Sequence, residues 1–527
     1  MDTAFVILLF VCTNCLVGLA ISLRRFRAGA RGWIFKFLAI LLLSFVGWLW
    51  SSDVLIYLAA GLWLALVLVP GLLARKYNQL FLQQRFPAAY RVARLIRWLH
   101  PADGWQKQPE IMRAVLLAQR GELSGATEIL QRYQHTTSSF GFVALATLCR
   151  LTDRWEEFLQ WQREHLGWES YPEFLHVLLR ARGETGDVAG LIELYDRHQA
   201  RIARLNLASH RDLCRLMLFA FCGRREMVEQ LFRGHLAILP QPTQQFWLAT
   251  ADLAAGKKES ARQQFESLLS AADAPLQQAI QRRLRQMATP PLLPLSAPAE
   301  AVIEFAQMEH GQESRFGAGR KIFSKQARAT QVLIGLNVLM FLAEIWRGGS
   351  TDMDALFELG ALFPPAVVEG EWWRIGAALF LHYGPLHLLM NMLALAVLGP
   401  FLEFALGRRR FLSLYLLTGI GSMLFVCAFA SGPDGEQLTV GASGCVMGLV
   451  GATGALMLRG WRREKAQIAR RRLSIVVIIV ASQTFFDAII PQVSMAGHLS
   501  GAVLGFALGL ALNDRLTAPL PVPRQDG

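Results

Sequence analysis

Cysteine is scarce and scattered: Cys12, Cys15, Cys149, Cys214, Cys222, Cys427 and Cys445 are the seven in 527 residues. That dispersion excludes a disulfide framework and a zinc site, and no metal or cofactor is expected. Cys12 and Cys15 form a CxxC, but inside an apolar stretch without polar neighbours, where packing is the expected role. Basic charge is missing from the extreme N-terminus. Met1-Asp2-Thr3 lacks the positive region of a cleavable signal peptide, and Arg24, Arg25, Arg27 and Arg31 follow the first apolar block instead. This predicts a retained helix with its N-terminus outside. Nor does any nucleic-acid-binding motif accompany the net charge of +13, so no nucleic-acid partner is expected.

What the chain does have is apolar residues, 53% of the total, gathered in blocks. Several blocks approach the roughly 20 residues that cross a bilayer. Three lie at 4–22, 33–50 and 54–74, with Ser51-Ser52-Asp53 as a tight hairpin between the second and third. A re-entrant pair is the alternative reading of 33–50 and 54–74. Six more lie at about 331–347, 375–400, 409–430, 443–461, 473–490 and 495–513. The loop 348–374 carries Glu371-Trp372-Trp373-Arg374, whose tryptophans suit a membrane interface. Threading three plus six helices from an outside N-terminus places Arg24 to Arg31, Arg75-Lys76, Arg408 to Arg410, Arg462 to Arg472 and Arg515 on one side. That is the positive-inside pattern, so residues 80–330 are expected to be cytoplasmic and the loops 348–374, 431–440 and 491–494 outside.

Residues 80–290 differ: charge is frequent and apolar residues recur at helical spacing. Short phrases also recur, starting at Gly121, Gly186, Gly223 and Gly256, with Thr152-Asp153-Arg154-Trp155 in phase between the first two. A period of roughly 32–37 residues is near that of helix-turn-helix solenoids such as the tetratricopeptide repeat (TPR). The glycine or aspartate belongs in the turn, and an apolar residue soon after it on the partner helix. The full repeat consensus is absent. The expected organisation is all-α: a membrane region at 1–76 with about three spanning helices, a TPR-like helical domain at 80–290 that binds a protein or peptide, a linker at 291–330 opened by Thr289-Pro290-Pro291-Leu292-Leu293-Pro294, a six-helix membrane core at 331–514 and a tail at 515–527.

Two polar residues stand out in the core. Ser443, within Gly441-Ala442-Ser443-Gly444, begins a helix just after an outside loop, and His498 begins the last helix just after another. A histidine in a membrane helix is costly and marks function. Serine beside histidine is the minimum equipment for nucleophilic acyl transfer. Gly497, Gly501, Gly505 and Gly509 recur every fourth residue, and Gly444, Gly448 and Gly451 lighten the serine helix, so the two helices are expected to approach closely. His387 and Asn391 share one face of another apolar block and can donate hydrogen bonds to an oxyanion. The last three blocks hold one acidic residue, Asp487, near a helix end.

With these residues in order, the chain resembles the rhomboid intramembrane serine proteases over about 330–514. The resemblance rests on Trp373-Arg374, His387-x-x-x-Asn391, Glu403, Gly441-x-Ser443-Gly444 and His498-x-x-Gly501-x-x-x-Gly505. It implies a Ser443–His498 dyad without a third, acidic member. It also implies an oxyanion hole from the Ser443 backbone N–H, His387 and Asn391, bracing roles for Arg374 and Glu403, and a supporting role for His382. Many family members carry an aromatic residue where this chain has Met447, and an alanine where it has Gly497. A methionine still makes sulfur–aromatic contact with an imidazole.

The function these features imply is hydrolysis of peptide bonds in transmembrane protein substrates, in a multi-pass protein of a bacterial inner membrane. The bilayer and a partner of the helical array are the other expected contacts. A different class, a rhomboid-like protein that binds membrane clients without cutting them, has no need of Ser443, His498, His387 and Asn391 together. A transporter would show inverted repeats, and none is evident.

Overall fold

The computed structural model describes residues 3–24, 30–133, 139–164, 174–205, 207–287, 295–317, 327–429, 438–489 and 494–516. Arg25 and Arg27, the Thr289–Pro294 run, most of the outside loops 431–440 and 491–494, and most of the tail 515–527 lie outside the described residues. The chain divides into two compact units, Met1–Gln307 and Met308–Gly527. Both are helical, and the one strand-like contact among the described residues is an isolated bridge between Leu362 and Thr439.

The first unit opens with helices Thr3–Arg24, Arg31–Leu49 and Asp53–Leu82, packed around Val11, Cys15, Phe37, Ile40 and Ala59. Cys15 is fully buried, and both CxxC thiols are free. The third helix spans 30 residues, longer than the apolar block that begins it. Its middle relaxes into a π-turn at Leu64–Leu68 just before Pro70. Proline has no N–H to give the carbonyl four residues back, that of Leu66. Lys36 fills the gap: its ammonium donates to Leu66 O at 3.0 Å and to Leu99 O at 2.8 Å.

Short antiparallel helices follow from Phe86–Leu99 to Ala274–Gln286. The five recurrent phrases lie at five turns with a common geometry. Gly121, Asp153, Gly186, Gly223 and Gly256 all have left-handed φ, between 58° and 85°. The N–H of the next residue reaches back five: Glu122 to Leu117 O, Arg154 to Cys149 O, Asp187 to Arg182 O, Arg224 to Phe219 O and Lys257 to Asp252 O. This bond closes a helix C-terminus in the Schellman manner. Five residues after each turn residue comes a buried apolar side chain: Ala126, Phe158, Leu191, Val228 or Ala261. Further along, a buried cluster joins distant helices. Arg283 and Arg180 donate to Glu184 at 2.7 and 3.0 Å, and the Arg283 guanidinium lies over the rings of Phe221 and Phe246. Burial alone would raise the Glu184 carboxyl, but the two guanidiniums hold it below its ordinary value.

The stretch 291–330, expected as a linker, contains the helix Ala297–Gln312 and a π-turn at Glu313–Gly317, and the boundary between the units falls inside that helix. Its proline-rich start disguised the helical composition that follows. Phe316 is fully buried against Gly460, and Arg315 forks onto Glu464 at 2.6 and 3.0 Å.

The second unit holds six apolar helices: Arg328–Arg347, Pro385–Leu406, Arg408–Phe429, Ser443–Glu464, Gln467–Ile489 and Met495–Ala511. Among the described residues of the whole chain, seven helices are long and apolar enough to cross a membrane, and the last, Met495–Ala511, is a shorter apolar helix. The block 375–400 proves to be two things. Arg374–Ala377 and Ala378–Phe380 are short turns of the preceding loop, and the long helix starts at Pro385. Ser443–Glu464 is central and buried for most of its length.

Its seam with the last helix is backbone against backbone. A Cβ on Gly501 would meet Gly444 O at 2.3 Å, one on Gly505 would meet Gly448 O at 1.9 Å, and one on Gly451 would meet Ala502 O at 2.0 Å. Only glycine allows such approach. At the far end of the seam Arg459 donates to Gly509 O at 3.0 Å, Leu510 O at 2.6 Å and Leu512 O at 3.0 Å, and pairs with Asp514.

Candidate active site

Ser443 is the first residue of its helix, after Gly441 (φ 130°) and Ala442. Ala442 has no side-chain oxygen to cap the first-turn N–H groups, which lie at the positive end of the helix dipole. Three backbone bonds to the preceding loop hold this approach: Gly441 N–H donates to Ala378 O at 2.9 Å, and Thr439 and Leu362 exchange a pair, each at 2.9 Å. Gly441 is required on two counts. Its φ is left-handed, and a Cβ there would lie 2.9 Å from His387 Nε2 and 3.6 Å from Ser443 Oγ. That same point, where a side chain is forbidden, adjoins both a ring nitrogen and the hydroxyl.

His387 sits in the first turn of Pro385–Leu406, with Asn391 one turn further along. Asn391 is buried, and its Nδ2 has no acceptor among the described residues. A buried NH₂ without an acceptor is rare and calls for an explanation. His382 is fully buried behind His387, ring to ring at 5.2 Å, and its backbone N–H donates to Glu344 at 2.8 Å.

His498 lies in the first turn of Met495–Ala511, whose N-terminus is capped by Ser494 Oγ accepting from Gly497 N–H at 3.1 Å. Its helix lies against that of Ser443 through the glycine seam, where Gly444 abuts Gly497 and Gly501. Among the described residues no hydrogen bond joins His498 Nε2 to Ser443 Oγ. Catalytic hydrogen bonds are often long in an unliganded site and tighten with substrate. The ring is instead fastened through Nδ1, 2.8 Å from Asp487 Oδ2 and 3.3 Å from Gln483 Nε2. The expectation of a dyad without a third, acidic member beside His498 is corrected here. Sequence distance hid the contact: Asp487 ends one helix and His498 starts the next. Its solitude among three apolar blocks was the available signal.

Arg374 is buried and ties the loop together, donating to Phe357 O at 2.6 Å, Ala361 O at 3.2 Å and Glu371, with its guanidinium 3.9 Å from the Phe357 ring centroid. Glu403 accepts from the backbone N–H groups of Ala329 and Thr330 at 2.9 Å, and from Thr330 Oγ1 at 3.0 Å. It caps, from outside, the N-terminus of Arg328–Arg347. Met447 is buried one turn below Ser443, packed with Val450 and Ala502, one turn below His498. Among the described residues no group of three His, Cys, Asp or Glu is placed to hold a metal ion.

The fold and site define a multi-pass helical membrane protein with a serine, two histidines and an asparagine gathered at one end of a glycine-lined bundle. Comparison with known proteins gives this class its name. The rhomboid domain family model matches residues 369–515. RHOMBOID-like protein 5 of Arabidopsis thaliana is 36% identical over 161 residues, covering 31% of this chain and 50% of that protein. Rhomboid protease GluP of Bacillus subtilis (strain 168) is 33% identical over 183 residues, 35% of this chain and 34% of that protein. The rhomboid YdcA of the same organism is 32% identical over 142 residues, 27% of this chain and 68% of that protein. The chain belongs to the rhomboid family. It spans half or less of the length of the first two relatives, and residues before 369 lie outside the family match.

Proposed function

We propose that this protein is an intramembrane serine endopeptidase that hydrolyses peptide bonds of transmembrane protein substrates. The observation that carries the proposal is the convergence at Gly441, where one point lies 2.9 Å from His387 Nε2 and 3.6 Å from Ser443 Oγ, with Asn391 Nδ2, which has no acceptor among the described residues, one turn further along the His387 helix. In this reading His498 Nε2 takes the proton of Ser443 as Oγ attacks the scissile carbonyl carbon. The tetrahedral oxyanion is held by the Ser443 N–H, His387 and Asn391. The C–N bond then breaks, the leaving amine takes the proton from His498, and an acyl-enzyme remains. Water repeats the sequence: His498 accepts its proton, the hydroxide adds, and Ser443 leaves reprotonated. Met447, packed against Val450 and Ala502, stands where an aromatic ring is common in the family.

The arginines support an orientation. Arg408 to Arg410, Arg462, Arg463 and Arg470 to Arg472 all lie at helix ends opposite to Ser443 and His498. With these ends cytoplasmic, the dyad opens near the outer face, where substrate helices with small or helix-breaking residues unwind most cheaply. The helical array at 80–290 is then cytoplasmic and, in its TPR-like role, recruits a substrate or an adaptor. Placement in a bacterial inner membrane belongs to the same proposal.

The test is cleavage of a model single-pass substrate by the purified full chain in detergent, beside Ser443→Ala and His498→Ala. Cleavage by the wild type, lost in both variants, establishes the activity. A folded wild type that neither cleaves nor reacts with a fluorophosphonate moves the assignment to a client-binding rhomboid-like protein.

A further inference from the structure

We propose that Asp487 is a positioning residue for His498, fixing the tautomer whose Nε2 is bare and able to take a proton; its catalytic meaning rests on the protease reading above. The two side chains are buried together, with Asp487 1% and His498 10% exposed. A carboxylate without partners in such a place is expensive, and this one makes two well-formed contacts. Gln483, one helical turn earlier, donates its Nε2–H to Oδ1 at 2.8 Å. Oδ2 is left facing His498 Nδ1 at 2.8 Å.

The geometry selects a proton position. An ionised carboxylate only accepts, so the proton between Asp487 and His498 resides on Nδ1. The Gln483 amide, 3.3 Å from the same nitrogen, offers a competing donor, but the carboxylate is closer and draws the Gln483 hydrogen to its own Oδ1. With Nδ1 protonated, the neutral imidazole keeps its lone pair on Nε2. When that nitrogen takes the serine proton, the resulting imidazolium stands beside an anion already in place. The same contact fixes the ring plane by a bond to a neighbouring helix. The serine–histidine pair thus gains a third member, supplied by the helix Gln467–Ile489.

The experiment uses the full chain in detergent, labelled with ¹⁵N-histidine, with His498 assigned by the resonance missing from His498→Ala. The expected wild-type spectrum has protonated Nδ1 and bare Nε2. Asp487→Ala should lose this preference. Asp487→Asn, isosteric and able to turn its NH₂ toward Nδ1, should shift the proton to Nε2. In substrate cleavage both variants should lower kcat by about 10³-fold or more with KM unchanged, as loss of an orienting acid does in serine hydrolases. Gln483→Leu should keep the tautomer and lose far less. An unchanged His498 tautomer in Asp487→Ala overturns the proposal, as does a kcat within about threefold of wild type. If the wild type cleaves nothing but Asp487 still sets the tautomer, the positioning stands and the protease reading fails.

Discussion

The helical array and the rhomboid core are both all-helical, yet they are held together in opposite ways. In the array, five turns of one geometry start new helices, and bulky side chains such as Phe158, Phe246 and Phe265 fill the space between them. A buried connection between its distant helices is ionic, between Glu184 and Arg283. In the core, the two helices that carry the reactive residues touch through glycine, with almost nothing between their backbones. In water, burial of large apolar groups drives helices together. In lipid that drive is absent, and close packing takes its place.

The sharpest way to break this comparison is Gly505→Leu. The new side chain has no room beside Gly448 O, and backbone cannot step aside. We expect the core to lose native packing, a cost above about 4 kcal/mol, seen as rapid digestion of residues 330–514 by limited proteolysis in detergent while the array stays resistant. Equal digestion of the two regions would refute the contrast.

Next in size is Arg283→Met, which leaves Glu184 buried with one of its two close cations gone. Breaking a buried pair costs roughly 3–5 kcal/mol, and the double variant Glu184→Leu/Arg283→Met should recover most of it. Thermal melts of the array measure both. Glycine-to-alanine changes in the turns come third. At Gly186 a Cβ meets nothing within 4 Å, so only the left-handed φ of 80° opposes it, about 1–2 kcal/mol. At Gly223 the Cβ also strikes Ala255 N at 2.9 Å, so Gly223→Ala should melt lower than Gly186→Ala.

Acid gives the mildest test. The Glu184 carboxyl is held below its ordinary value in the folded state, so its pairing stabilises the array above the unfolded carboxyl value and is lost as pH falls through the folded one. Between about pH 5 and pH 3 the wild-type array should lose stability that Glu184→Gln, lower to begin with, does not have to lose. Parallel pH curves for the two would contradict the assignment.

These contrasts also explain what the sequence made legible. The turn residues were visible because each closes its helix locally, within six residues of chain. The spans were visible because length and hydropathy are additive along a helix. The two units hid different things. Arg283 and Glu184 are about a hundred residues apart, and no local pattern announces their meeting. The run Ile375–Phe380 is as apolar as a span but belongs to a buried loop, and hydropathy does not separate the two. At the candidate site, Ser443, His387, Asn391 and His498 were singled out from residue type and helical phase. Asp487 was noticed and left unassigned, because its partner lies across a helix–helix connection.

The glycine seam has a property of its own making. Gly497, Gly501, Gly505 and Gly509 repeat every four residues, so a slide of one repeat, about 6 Å along the axis, brings glycine opposite glycine again. Like the teeth of a comb, the stripe fixes how near the helices lie but leaves their alignment undetermined. Alignment with the serine helix comes from Arg459 on the last carbonyls and Asp514, while Asp487 ties His498 to a third helix. These contacts do not repeat, so they mark the zero of the scale. The register of Ser443 against His498 is therefore set by polar contacts and not by the stripe, and a variant that keeps every glycine but loses those contacts is free to close one tooth out of register.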